Sequence, residues 1–174
     1  MQFLNEAVLM LSLAVFVAAM IIGAASDLHR YEIPDQVSIA IVVAFLPAAW
    51  AGGLGLMDIA IGIAIGVGCM IVGIGLFAIN MFGGGDVKLL AAGAVWAGWE
   101  GLPVFVFLVA IAGGILSLAL ILFRRFRLSA RLDGIGWIHA IHTPGNSVPY
   151  GVAIAAGALM SLPRLPITAD LLGG

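Results

Sequence analysis

Six apolar runs, separated by short polar stretches, constrain the fold of this chain more than any other feature. They cover residues 7–25, 37–51, 59–81, 87–99, 102–123 and 148–162. A helix needs about 20 apolar residues to cross the hydrocarbon core of a bilayer. Three runs reach that length, and the fourth is short enough to form a re-entrant segment instead. We expect an all-α, polytopic membrane protein with six transmembrane helices in a single membrane-embedded domain, residues 1–174.

The scarcity of charge supports a membrane protein and excludes other classes. Seven Lys and Arg and nine Asp and Glu are spread over 174 residues, with a mean hydropathy of +1.22, whereas a soluble domain carries about 25% charged residues. Cys69 is the only cysteine, which excludes a disulfide scaffold and a four-cysteine zinc site. A net charge of −2 argues against nucleic acid as a partner.

The basic residues predict how the helices are oriented. With six crossings, all but one of the basic residues fall on one side, namely Arg30, Lys88, Arg124, Arg125, Arg127 and Arg131. Only Arg164 falls on the other. Because cytoplasmic loops carry the excess of Lys and Arg, we expect this side to be cytoplasmic, with both termini outside a bacterial inner membrane. A re-entrant fourth run would split the basic set, so six crossings are favoured. The arginines of loop 124–147 are expected to contact anionic lipid.

Two aspartates are expected at the cytoplasmic boundary. Asp27 follows the first run, Asp86 precedes the fourth, and two crossings separate them. Two carboxylates at the same depth in the membrane, on helices that pack against each other, can share a single proton. The ionised member can then take a proton from water while the protonated member polarises a carbonyl group. This pattern predicts hydrolysis of a peptide bond with no metal and no cofactor.

Three glycines precede the second aspartate. Gly83, Gly84 and Gly85 lack a Cβ, so their backbone can approach a neighbouring chain closely. We expect them to support the acidic pair or to bind substrate. Each aspartate also has a simpler interpretation: Asp86 as a helix N-cap, and Asp27 as an interfacial charge.

Other polar residues have simple structural interpretations. Asp35 and Asp58 each stand at a helix start, where we expect them to act as caps. Lys88 is expected either to reach the lipid headgroups, to support the acidic pair, or to pair with an acidic group of a substrate. His139 and His142 lie in the basic loop without a third ligand nearby, which argues against a metal site there.

Two further classes of function fit the same residues. A small transporter or channel would use two aspartates to bind a cation, although the middles of the apolar runs carry no charge. A non-catalytic scaffold of a secretion complex would not need either carboxylate. The halves of the chain do not align, which argues against an inverted-repeat transporter.

Three motifs carry a family resemblance. Residues 83–89, GGGDVKL, resemble the Gly-x-Gly-Asp-x-Lys-Leu motif of the type IV prepilin peptidases. Asp27 followed by IPD at 33–35 resembles the first motif of that family, with Asp35 in place of the usual Asn. Residues 148–151, VPYG, resemble the Pro-Tyr/Phe-Gly element that opens the last helix of the family.

This resemblance implies a specific activity. The family consists of membrane aspartic endopeptidases that remove the basic leader of type IV prepilins at the cytoplasmic face, so Asp27 and Asp86 are implied to be catalytic. The substrate and partner is then a prepilin held in the membrane by its apolar helix. The short length resembles the branch serving Flp/Tad-type pili. Larger members add a four-cysteine zinc domain and methylate their product; with one cysteine, N-methyltransferase activity is not expected here.

Overall fold

The regular structure of the chain is helical throughout the part that is described. The computed structural model describes residues 1–126, 134–143 and 148–168. Within these ranges the chain forms no strand, and its helices are α1 Gln2–Arg30, α2 Asp35–Ala51, α3 Leu56–Ala78, α4 Gly84–Phe123, α5 Gly136–His142 and α6 Tyr150–Ser161, followed by 3₁₀ turns at Leu162–Arg164 and Pro166–Thr168. The predicted all-α class is confirmed.

Three of these helices are long and apolar enough to cross a membrane. They are α1, α3 and α4, while α2 is a shorter apolar helix. The helices extend beyond several of the apolar runs, since α1 continues to Arg30 and α4 begins at Gly84. The membrane-protein class therefore stands, and the count of six crossings stays a prediction.

A break at Gly98 divides α4. This residue has φ 58° and ψ −167°, a backbone conformation that is open essentially to glycine alone. We call residues 84–97 the first arm of α4 and residues 99–123 its second arm. They correspond to the fourth and fifth apolar runs.

The two arms lie side by side rather than end to end. The ring of Tyr150 lies 5.1 Å from that of Phe82, just before the first arm, and the same tyrosine contacts Gly113 of the second arm. A straight helix of 40 residues would be about 60 Å long, which would hold Phe82 and Gly113 far apart. The chain must therefore reverse direction at Gly98.

Replacing Gly98 with alanine is expected to destabilise this reversal. A side chain in that conformation costs about 1–3 kcal/mol, so Gly98→Ala should lower the thermal unfolding temperature of the detergent-purified protein. Gly114→Ala in the second arm is the matched control, because a Cβ there meets open space and helical alanine is favoured over glycine. Unfolding of Gly98→Ala at the wild-type temperature would contradict the assigned strain.

One aromatic cluster joins α1, α2 and the first arm. Trp96 is fully buried, and its Nε1–H donates a hydrogen bond of 2.8 Å to the carbonyl oxygen of Ile41. The ring of Phe16 lies 4.6 Å away, and that of Phe45 lies 6.1 Å away. A buried indole with its N–H satisfied contributes a large apolar area and fixes the relative positions of the helices.

Glycines bring α3 close to the first arm. A Cβ on Gly62 would lie 2.8 Å from the carbonyl oxygen of Val95, and Cβ atoms on Gly66 and Gly73 would overlap the side chains of Val95 and Val87. Small residues at helix contacts allow such close packing in membranes. The antiparallel pairing of α3 with the first arm brings the glycines at the start of α4 beside the end of α3.

Candidate active site

Asp27 lies inside α1, in its last turn, rather than beyond the helix as predicted. The helix continues past the apolar run to Arg30 and ends at Tyr31, which has φ 55° and whose backbone N–H donates to the carbonyl oxygen of Asp27 over 2.9 Å. The Asp27 side chain is 6% exposed. Its Oδ2 accepts a hydrogen bond of 2.7 Å from the backbone N–H of Gly151. Asp27 is therefore buried within the protein instead of facing its surroundings, and its position at the membrane boundary stays a prediction.

Asp86 lies in the first turn of α4, three residues after the N-cap Gly83. The backbone N–H groups of Gly83 and Gly151 both approach its carboxylate, and Asp27 is close enough for the two charges to repel. Its Oδ1 is buried and has no hydrogen-bond partner among the described residues. Asp86 therefore stands at the third position of the helix, where a carboxylate can cap, and this position is compatible with a role in a site.

Both carboxylates line one pocket. Its volume is about 330 Å³, and its lining residues are Asp27, Tyr31, Glu32, Ile33, Asp35, Gly83, Gly84, Gly85, Asp86 and Lys88. The ends of α1 and the starts of α2 and α4 form its walls, and Gly151 at the start of α6 lies against both carboxylates. Two like charges placed this close are stabilised when they share one proton.

Two of the three glycines have no room for a side chain. A Cβ on Gly85 would lie 3.0 Å from the Cβ of Ile33, and a Cβ on Gly83 would lie 2.8 Å from Oδ2 of Asp86. At Gly84 the nearest atom would be 3.6 Å away, which is an ordinary contact. The third glycine therefore lets the start of α4 approach Ile33 between α1 and α2, and a side chain at the first would displace the carboxylate of Asp86, whereas the middle position has room for a methyl group.

Lys88 pairs with an acidic residue beside the two carboxylates. Its Nζ lies 2.6 Å from Oδ1 of Asp35, and both side chains are partly exposed. The predicted cap at Asp35 is wrong, because Asp35 follows the N-cap Pro34 as the first residue of α2 and its carboxylate binds Lys88 instead. The predicted cap at Asp58 is confirmed, since its Oδ2 accepts a hydrogen bond of 3.2 Å from the backbone N–H of Gly55.

The polar loop after α4 contacts the protein itself. The Nε–H of Arg124 donates a hydrogen bond of 2.8 Å to the carbonyl oxygen of Ile141. Nε2 of His142 lies 2.7 Å from the carbonyl oxygen of Phe126. Arg127 and Arg131, which were expected to contact lipid, lie outside the described residues. In the described part of the chain, no group of three His, Cys, Asp or Glu side chains is arranged to hold a metal ion.

Sequence reasoning missed two residues of the site. Gly151 belonged to a recognised motif but received no role, and its N–H now proves to bind Asp27. Tyr31 attracted no attention, although its hydroxyl is buried without a hydrogen-bond partner among the described residues. Tyr31 has a left-handed backbone conformation at the end of α1, which has no reliable sequence signature for a tyrosine.

The long apolar helices and the pocket that holds Asp27 and Asp86 at their ends define the class of this protein, a helical membrane protein with a buried carboxylate site. Residues 14–118, which include both aspartates, match the type IV leader peptidase family, and the chain belongs to this family. Similar proteins are a prepilin leader peptidase/N-methyltransferase of Aeromonas hydrophila, 29% identical over 78% of this chain and 43% of the relative, and one of Aeromonas salmonicida strain A449, 30% identical with the same coverage. The chain thus spans less than half the length of these relatives. No solved structure matches it.

Proposed function

We propose that this protein is a membrane aspartic endopeptidase that cleaves the leader peptide of type IV prepilins. Asp27 and Asp86 are the catalytic pair, and water is the nucleophile. Membership of the leader peptidase family and the names of the relatives support the substrate class. Within that class, we propose Flp/Tad-type prepilins as the substrates.

One observation carries the proposed chemistry: the buried Oδ1 of Asp86 has no partner among the described residues and shares a pocket with Asp27. The N–H of Gly151 binds Oδ2 of Asp27, which stabilises the ionised form. We therefore assign Asp27 as the base and Asp86 as the acid.

The reaction follows from these two roles. Asp27 takes a proton from water as the oxygen attacks the scissile carbonyl carbon, and Asp86 donates its proton to the carbonyl oxygen. The tetrahedral diol then collapses. Asp27 passes the proton to the leaving nitrogen and Asp86 recovers its own, so the C–N bond breaks and both carboxyl groups return to their starting states.

The shared proton predicts a bell-shaped dependence of activity on pH. Below the lower apparent pKa of the pair both carboxyls are protonated and no base remains; above the higher one both are ionised and no acid remains. The rate of leader cleavage by detergent-solubilised enzyme, measured across pH with a folding control at each point, should fall on both sides of one maximum. A rate that rises to a plateau without a second limb would contradict a shared proton.

The membrane arrangement belongs to the same proposal. We propose six crossings, with the arms of α4 as the fourth and fifth, and the pocket at the cytoplasmic face of the inner membrane with both termini outside. The reversal at Gly98 supports this arrangement. Arg124 lies near enough to Tyr31 to affect its phenol, so this basic residue and the pocket lie at one end of the bundle, as the positive-inside rule requires.

The direct test is the N-terminal sequence of the cognate pilin with and without this protein. Reconstituted membranes containing the enzyme should convert the precursor to a product that lacks the basic leader, as read by mass spectrometry. EDTA should leave the rate unchanged, because neither role needs a metal. An uncut precursor would contradict the proposal, and sensitivity to EDTA would contradict the metal-free reaction. Cation flux through vesicles without cleavage would favour the transporter or channel.

A further inference from the structure

An apolar groove begins where the carboxylate pocket ends. It lies between α2, α3 and the first arm of α4 and has a volume of about 500 Å³. We call it the α2–α3 groove; its lining is Asp35, Ser38, Ile39, Val42, Val43, Ile63, Gly66, Val67, Met70, Ile71, Lys88, Ala91, Ala92 and Val95. We propose that this groove holds the apolar helix of the substrate that follows the scissile bond. The inference rests on the proposed function and assigns the substrate's path.

Continuity with the pocket distinguishes this groove. Asp35 and Lys88 line both the α2–α3 groove and the carboxylate pocket. A second apolar groove of about 300 Å³ lies on the other side of α3 and includes Cys69 and Val72. The second groove shares no lining residue with the carboxylate pocket. A substrate helix seated there would not lie along Asp35 and Lys88, the two residues that join the α2–α3 groove to the carboxylate pocket.

The shape and polarity of the α2–α3 groove suit a helix. Its lining includes the small residues Gly66, Ala91 and Ala92, which allow a second helix to approach closely. Its rim carries exposed aliphatic side chains such as Val43 and Val67. An apolar helix can therefore bury a full face along it.

The Lys88–Asp35 ion pair marks the junction between groove and pocket. It joins the first turn of α4 to the first turn of α2 over 2.6 Å. A chain that leaves the apolar groove crosses this pair before it reaches Asp86. The occupant that fits is thus a segment whose apolar helix is preceded by a polar, extended stretch. A lipid acyl chain matches the groove but not the polar pocket.

Two adjacent residues of α3 allow a matched test. Ile71 lines the α2–α3 groove and Val72 lines the second groove, and each is 65% exposed. A photo-crosslinking amino acid is placed at one position or the other in the Asp86→Asn protein with bound precursor. Because the two positions are equally exposed, the two variants compare the two sides of α3 directly. We expect the precursor to be captured from position 71 and not from position 72. Capture from position 72, or of lipid alone from position 71, would overturn the assignment.

Kinetics give an independent readout. Ile71→Trp should narrow the groove and raise the KM for the precursor about tenfold, with Val72→Trp close to wild type. Equal effects of the two variants would overturn the groove assignment. If the unmodified protein cleaves precursor while the cross-linking and kinetic tests fail, the assignment of the α2–α3 groove is wrong and the proposed peptidase function is retained. If the unmodified protein cleaves no precursor, the proposed function itself has failed.

A separate observation concerns Tyr31. Its hydroxyl is buried without a hydrogen-bond partner among the described residues, and the residue lines the carboxylate pocket. We infer that this phenol donates a hydrogen bond to the scissile carbonyl oxygen as negative charge develops on it. A donor left unsatisfied in the resting protein carries a cost that such an acceptor would remove.

The protonation state of Tyr31 suits a donor. Burial raises the pKa of its phenol above the usual value, the positive charge of Arg124 opposes that rise, and the negative charge of Asp27 adds to it. The phenol therefore keeps its proton at neutral pH. The O–H can stabilise an oxyanion without being a proton source.

Tyr31→Phe removes the hydroxyl and keeps the ring. Loss of one oxyanion donor lowers kcat about a hundredfold or more, so we expect kcat to fall to that extent with KM nearly unchanged and the thermal unfolding temperature retained. A kcat within a factor of two of wild type would overturn the inference. So would a loss of activity that merely follows a loss of folded protein.

Discussion

Asp86→Asn is expected to reduce leader cleavage at least about a thousandfold, because an amide can neither hold nor return the proton that the acid supplies. The fold should persist, since asparagine has nearly the same size and shape as aspartate and introduces no charge into the pocket. Asp27→Asn should have a similar effect through loss of the base. The measurement is the initial rate of precursor cleavage, normalised to the amount of folded protein in the membrane.

Asp58→Asn is the matched control for this prediction. Asp58 occupies the same third position of a helix after a glycine N-cap and accepts a hydrogen bond from the backbone N–H of Gly55, but it lies outside the carboxylate pocket. The same substitution there should leave cleavage near wild type. Full activity of either Asp27→Asn or Asp86→Asn would remove that residue from the catalytic pair, and full activity of both would favour the scaffold interpretation.

Gly151→Ala should lower cleavage about a hundredfold, the second-largest effect expected. A Cβ at this position would lie 2.9 Å from Oδ2 and 3.1 Å from the Cβ of Asp27, and 2.8 Å from Cδ1 of Ile33. Either Asp27 or the start of α6 must then move, which breaks the hydrogen bond between them. A misplacement of about 1 Å at a reacting group can cost about a hundredfold in rate. The rate should be compared with that of wild type in the same membranes.

Gly84→Ala provides the control for the glycine prediction. It lies in the same pocket, yet its added Cβ would meet nothing closer than 3.6 Å. We expect this variant to cleave at close to the wild-type rate. Equal losses in Gly84→Ala and Gly151→Ala would mean that the pocket is sensitive to any added bulk rather than to the position of Asp27.

The sequence was sufficient for the features that depend on local pattern. Apolar runs predicted every helix of the described residues except α5, Gly136–His142, which lies in the basic loop. The fourth and fifth runs were separate, although the fourth, residues 87–99, was extended past the break at Gly98. The cap at Asp58 was likewise readable, because a carboxylate three residues after a glycine N-cap interacts only with its own helix start. Hydropathy also indicated that Asp27 and Asp86 stand near the ends of apolar segments.

Features that depend on contacts between distant segments were not readable. Two such contacts each join residues from different helices: the hydrogen bond from Gly151 to Asp27 and the ion pair of Lys88 with Asp35. Nothing in the local sequence around Asp35 distinguishes a cap from an ion-pair partner, since both use the same exposed carboxylate. The end of α1 was predicted too early, because hydropathy detects only the apolar run and not the polar residues that continue the helix. A buried carboxylate such as that of Asp27 can lie within the helix itself.

The most direct test of the account is whether positions 27 and 86 meet. In a Cys69→Ala background, cysteines at both positions should be joined by a short thiol-specific cross-linker in native membranes, giving one fused pair of peptides after digestion. A protein with cysteines at positions 27 and 58 should give no such product. Failure to join 27 with 86, with both thiols shown to be reactive, would contradict the shared pocket and the reaction built on it.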